Sequence, residues 1–157
     1  MQSRPEIRSM RNIYFLLTVP LLLGGCSFTK KEEKINVQNV VIPDVDHEYF
    51  EVENIFINWE SILEQNMNTY YVYVYSTTCV HCQEMKNWII ETTLNRDDIF
   101  FVKGSNKITI KTDVSSTIGA TRVEEVAILG YPTLLKIENK TLVKNVAGNS
   151  KIMDLLK

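Results

Sequence analysis

The feature that most constrains this chain is the run Tyr70–Tyr75 (Y-Y-V-Y-V-Y), followed after a short break by Cys79-Val80-His81-Cys82. A β-branched and aromatic run of this length fits one strand and is too short for most helices. No polar residue alternates within it, so both of its faces are expected to be covered, as in the middle of a parallel or mixed sheet. Ser76-Thr77-Thr78 ends the run and offers cap hydroxyls. From Val80 onward, Met85, Trp88, Ile89 and Thr92 recur at steps of three and four, which predicts one face of a helix. The two cysteines therefore stand at a strand-to-helix junction, one helical turn apart, with their sulfurs within reach of each other.

That position has chemical consequences. A thiol at a helix N-terminus faces unpaired backbone N–H groups and the positive end of the helix dipole, both of which favour thiolate. Thiolate is the nucleophile of disulfide exchange, and cysteines in C-x-x-C motifs can have pKa values lowered to roughly 3.5–7.5. Cys79 is expected to be the exposed attacking sulfur and Cys82, one turn into the helix, the shielded resolving sulfur. His81 adds a hydrogen-bond donor or a positive charge beside the thiolate, and stabilising the reduced form makes the disulfide a stronger oxidant. Two other uses of the same residues stay open: a Cys79–Cys82 disulfide that only staples the structure, and metal binding by the pair with His81. A closed zinc site needs four ligands, and the remaining candidates are a distant His47 and scattered carboxylates, so no metal is expected.

Residues 1–25 read as a targeting segment outside the folded domain. Arg4, Arg8 and Arg11 form a basic lead, Ile13–Leu23 an apolar core, and Leu23-Gly24-Gly25 a small-residue exit just before Cys26. The apolar stretch is about half of the ~20 residues that span a bilayer. The arrangement resembles a bacterial lipoprotein signal, which implies cleavage before Cys26 and a diacylglycerol on its thiol. An uncleaved anchor, or an ordinary signal peptide with a spare cysteine, are the alternatives. Lipidation would use one cysteine and leave the other two for each other. It would also place them outside the membrane, where disulfides form and persist.

Residues 26–48 read as a tether, polar apart from Val40-Val41-Ile42, with Lys30-Lys31 offset at once by Glu32-Glu33. The folded domain is expected over 49–157. Its 45% hydrophobic content suffices for a core, and a net charge of −2 with no Lys/Arg cluster speaks against nucleic acid. Tyr49–Val52 is expected as a first strand. Asn54 is expected to cap a helix to about Asn66 that buries Ile55, Trp59, Ile62 and Leu63, with Trp59 in the core. His47, Glu84 and Lys86 read as solvated surface residues. Ile99–Lys103 predicts a further apolar strand, parallel to Tyr70–Tyr75 through the intervening helix. Residues 107–126 carry little pattern beyond a short strand at Ile108–Ile110 and a helical turn or two within Val123–Leu129. Leu134–Glu138 and Leu142–Val146 predict an antiparallel hairpin through Asn139-Lys140, and a helix capped by Asn149 or Ser150 closes the chain.

C-x-x-C opening a helix after an apolar strand, then Gly130-Tyr131-Pro132-Thr133, a hairpin and a final helix, make residues 49–157 resemble the thioredoxin superfamily. The resemblance implies an α/β fold with a central mixed sheet flanked by helices, a parallel βαβ half and an antiparallel C-terminal hairpin. It implies that Pro132 is cis and lies against the cysteines, and that Tyr131, Pro132, Thr133 and Val80 contact the substrate. The activity implied is thiol–disulfide exchange with protein thiols or disulfides, with no cofactor beyond the Cys79–Cys82 disulfide. Together with Cys26, it implies a lipid-anchored, extracytoplasmic monomer on a bacterial membrane, leaning towards a reductase or electron relay fed by a membrane redox partner. The alternative is a non-catalytic accessory lipoprotein, for example in peptide or bacteriocin export. Two positions depart from the family. The buried acid six residues before the first cysteine is Tyr73 here, and the Trp just before that cysteine is Thr78.

Overall fold

The computed structural model describes residues 45–157. The targeting segment 1–25, Cys26 and most of the tether lie outside these residues. The strand predicted at Tyr70–Tyr75 is β1 (Thr69–Tyr75), and it leads into α1 (Val80–Leu94) and β2 (Ile99–Lys103). β3 (Thr133–Glu138), β4 (Thr141–Ala147) and α2 (Asn149–Leu156) complete the order. The sheet runs β2-β1-β3-β4. β1 pairs parallel with β2 (Tyr73 opposite Phe101) and antiparallel with β3 (Tyr73 opposite Leu134), and β3 and β4 form the antiparallel hairpin. Its turn places Asn139 and Lys140 at φ 48° and 62°.

The unbroken apolar run of β1 is explained by its neighbours. Successive strand side chains point to opposite faces. Tyr70, Val72 and Val74 join Trp59, Ile62, Leu135 and Ile137 in one core cluster. Tyr73 and Tyr75 join Met85, Ile89, Phe101 and Ile152 in the other. A strand with packed layers on both sides has no place for polar alternation. In α1 the buried face is Cys82, Met85, Ile89, Ile90 and Thr93. Thr92, expected there, is half-buried and bonds back to the Trp88 carbonyl (2.7 Å).

The segment before β1 differs from the expectation. Tyr49–Val52 is not a strand but part of a 3₁₀ stretch, Tyr49–Ile55, and the helix expected from Asn54 is reduced to one 3₁₀ turn, Trp59–Ser61. The reason is tertiary. Phe56 bridges to Phe101 at the β2 edge, and the Ile57 N–H donates to the Phe101 carbonyl (2.9 Å), which pulls the chain extended where a helix would have run. Helix spacing is a weak prior once a sheet edge offers backbone partners. Trp59, Ile62 and Leu63 are buried all the same. In the region 107–126, Ile110 makes a single parallel bridge to Ile128, and 3₁₀ turns form at Ser115–Thr117 and Val123–Glu125. Gly148, not Asn149 or Ser150, occupies the cap position of α2, and its carbonyl accepts the Ile152 N–H.

Two residues read as solvated are instead tied down. The His47 side chain is 12% exposed and sits 2.9 Å from Glu51 Oε2, while its backbone N–H donates to Asn87 Oδ1. Lys86 Nζ lies 2.6 Å from Glu48 and 3.2 Å from Asp46, again only 12% exposed. Residues 46–51 thereby strap themselves across α1.

Candidate active site

The site begins where β1 ends. Ser76-Thr77-Thr78 turns the chain so that the Cys79 N–H meets the Ser76 carbonyl (3.2 Å). Cys79 is the N-cap residue of α1, with extended backbone (φ −88°, ψ 119°). Its sulfur takes the place of a capping oxygen and accepts the Cys82 backbone N–H at 3.2 Å. That donor and the positive end of the α1 dipole both face this sulfur. Cys79 is half-exposed, Cys82 is fully buried, and both are free thiols.

The opposite wall is the loop before β3. The Tyr131–Pro132 peptide is cis, and the Tyr131 carbonyl accepts the Cys79 thiol at 3.3 Å. Pro132 is buried, and its carbonyl takes the Gly148 N–H (3.1 Å), which fixes the loop to the start of α2. Thr133 is buried and turns its hydroxyl to the Gly130 carbonyl (2.6 Å), so its side chain is not offered to a ligand. Tyr131 faces Cys79 with its backbone, while its half-buried ring packs inward. Val80, beside Cys79, is 69% exposed. His81 is turned away: its Nδ1 lies 3.1 Å from Glu84 Oε2 with the side chain 71% exposed, and neither sulfur is among its hydrogen-bond partners. The structure thus brings Cys79, Cys82, Tyr131 and Pro132 together with Val80 at the rim, and leaves His81 and the Thr133 side chain outside.

Behind Cys82 lie three tyrosines. Tyr49 donates its hydroxyl to the Cys82 carbonyl (3.3 Å) and stacks on Tyr75 with ring centroids 3.9 Å apart. Tyr73 is fully buried, and its hydroxyl has no hydrogen-bond partner among the described residues. Burial above all raises the pKa of Tyr49 and Tyr73, and it pushes Tyr75 up to about 12. The same cause, followed by the contact with Cys79, pushes the Cys82 thiol up from 9.0 to about 12. No carboxylate is among its main causes. Tyr49 and its contact were invisible in the sequence, because nothing in the spacing of residues 49 and 82 ties them together. Among the described residues no three His, Cys, Asp or Glu side chains gather into a group that could hold a metal.

Comparison with known proteins bears on this arrangement. The family model described as Thioredoxin matches residues 52–157, more than half of the chain. No curated protein matches it. Among solved structures, the chain is similar to thioredoxin f2 of Chlamydomonas reinhardtii, at 20% identity over 65% of this chain and 92% of that one (TM-score 0.42). It is similar to thioredoxin f from spinach chloroplast in its long form, at 15% identity over 71% and 94% (TM-score 0.44). A third is the reduced thioredoxin of Schistosoma mansoni, at 24% identity over 64% and 94% (TM-score 0.43).

Proposed function

This chain belongs to the thioredoxin family, whose chemistry is thiol–disulfide exchange, and on that premise we propose that it reduces disulfides of extracytoplasmic proteins from a lipid anchor at Cys26. The observation that carries the reading is the placing of one half-exposed sulfur at a helix N-terminus, 3.3 Å from the carbonyl before a cis-proline. In the proposed cycle, the Cys79 thiolate attacks one sulfur of a substrate disulfide. A Cys79–substrate disulfide forms, and the other substrate sulfur leaves as a thiolate and takes up a proton. Cys82 then loses its proton and attacks the Cys79 sulfur. The Cys79–Cys82 disulfide closes and the second substrate thiol departs. The chain is oxidised by two electrons, and an external dithiol, such as that of a membrane redox partner, restores it.

The test of direction is catalysis with dithiothreitol as reductant and insulin as the disulfide. The reduced chain is expected to accelerate insulin reduction. Faster transfer of the chain's own disulfide to a reduced protein would reverse the assignment. For the anchor, mass spectrometry of the mature chain is expected to find an N-terminal Cys26 carrying the diacylglycerol mass, and a mature chain with an unmodified Cys26 or an uncleaved leader would contradict lipidation at that residue.

A further inference from the structure

Gly104 follows the last residue of β2, and its backbone N–H donates to the Tyr75 carbonyl at 2.6 Å. Gly119, Gly130 and Gly148 have φ between 93° and 153°, so their backbone conformations explain them, and a Cβ on any of them would meet open space. Gly104 is the reverse case. Its φ is not in the left-handed region that favours glycine. A Cβ there would lie 2.9 Å from both Cζ and the hydroxyl oxygen of Tyr131, and 3.1 Å from Cε1. The glycine is therefore explained by the ring that rests on it.

That ring belongs to the residue whose carbonyl faces Cys79. The half-buried ring packs against both core clusters, and its hydroxyl end is what a side chain at position 104 would push. Gly104 cannot easily retreat, because its N–H is held by the end of β1, the strand that delivers Cys79. We infer that Gly104 is a positioning residue for the Cys79 site: its missing side chain seats the Tyr131 ring, and the seated ring sets where the Tyr131 carbonyl stands beside the sulfur. The inference rests on the oxidoreductase reading for its kinetic consequence, but not for its geometry. Close packing transmits strain, and with Gly104 held by the end of β1 the Tyr131 side is the one that gives.

The experiment compares Gly104→Ala, Tyr131→Leu and the double variant with the full chain. The leucine side chain lacks the ring atoms that a methyl group at position 104 would strike. The two readouts are kcat/KM for insulin reduction and the NMR shift of Cys79 Cβ in the reduced chain. Gly104→Ala is expected to lower kcat/KM by roughly tenfold, carried mainly by KM. A misplacement of about 1 Å near reacting groups can cost up to about a hundredfold. It is also expected to move the Cys79 resonance. In the Tyr131→Leu background the same substitution is expected to change neither readout. If Gly104→Ala fails to fold, a folded double variant that behaves like Tyr131→Leu supports the inference, and an unfolded double variant overturns it. Unchanged readouts in Gly104→Ala, or equal changes with and without the Tyr131→Leu substitution, also overturn it. An unmodified chain that does not reduce insulin sinks the oxidoreductase reading instead, and the Cys79 resonance then decides this inference alone.

Discussion

A Cys82→Ala variant mixed with a protein disulfide accumulates a covalent complex through Cys79, and a Cys79→Ala variant accumulates none. The expectation follows from which sulfur a substrate can reach. Cys79 is half-exposed at the N-cap of α1, with a backbone N–H on its sulfur, whereas Cys82 is fully buried beneath it. Without Cys82 the first exchange still runs, but nothing attacks the resulting disulfide. Without Cys79 the buried sulfur has no path to a substrate. Removing a nucleophile of this kind lowers turnover by roughly four orders of magnitude or more. Gel analysis under non-reducing conditions, with mass spectrometry of the captured adduct, reads the result. Equal capture by the two variants would contradict the division of roles.

The second large effect is on pH. Closing the Cys79–Cys82 disulfide needs the Cys82 thiolate, and burial holds that thiol up at about 12. Its contact with the Cys79 thiol disappears once Cys79 is bonded to substrate, but burial, the larger cause, remains. A group with a raised pKa is almost wholly protonated at neutral pH, and its thiolate fraction grows about tenfold per pH unit below that value. Release from a preformed Cys79 mixed disulfide is therefore expected to accelerate by about a hundredfold between pH 7 and 9, without a plateau in that range. Rapid mixing with a pH series measures it. Levelling-off near pH 8 would mean that the pocket ionises Cys82 more easily than its burial allows. The tyrosine hydroxyls around it cannot serve as bases there, since Tyr49 and Tyr73 are themselves held protonated by burial. The raised pKa of Cys82 goes with a tyrosine, Tyr73, at the position where the resemblance to the wider family implies an acid.

What the residues disclose on their own is uneven, for physical reasons. β1, α1, β2 and the β3–β4 hairpin were legible because each carries a run or period that only one kind of element satisfies. The junction holding Cys79 and Cys82 was legible for the same reason, being the boundary between two such patterns. Residues 54–66 were misread because their helix-like spacing yields to the Phe101 carbonyl, a partner that only the folded sheet supplies, and Tyr49–Val52, read as a strand, is part of a 3₁₀ stretch. His47 and Lys86 looked like ordinary surface residues. Their partners Glu51, Glu48 and Asp46 lie close in the folded strap, but only packing against α1 buries them. Tyr49 and Gly104 were missed because their importance lies entirely in contacts across the fold. A glycine outside the left-handed region gives no local sign that a distant ring needs its space.

The central claim is that Cys79 and Cys82 form a working redox pair and not a staple, and the midpoint potential of that pair tests it most directly. The full chain is equilibrated across a series of dithiol/disulfide buffers, the free thiols are alkylated, and the oxidised fraction is read by mass. Structural disulfides lie below about −300 mV, and exchanging ones lie higher. A half-exposed sulfur held by a helix N-terminus predicts a midpoint above that boundary. A pair that remains oxidised at potentials well below it would show that the bond is there to hold the fold, and the cycle proposed for Cys79 would fall with it.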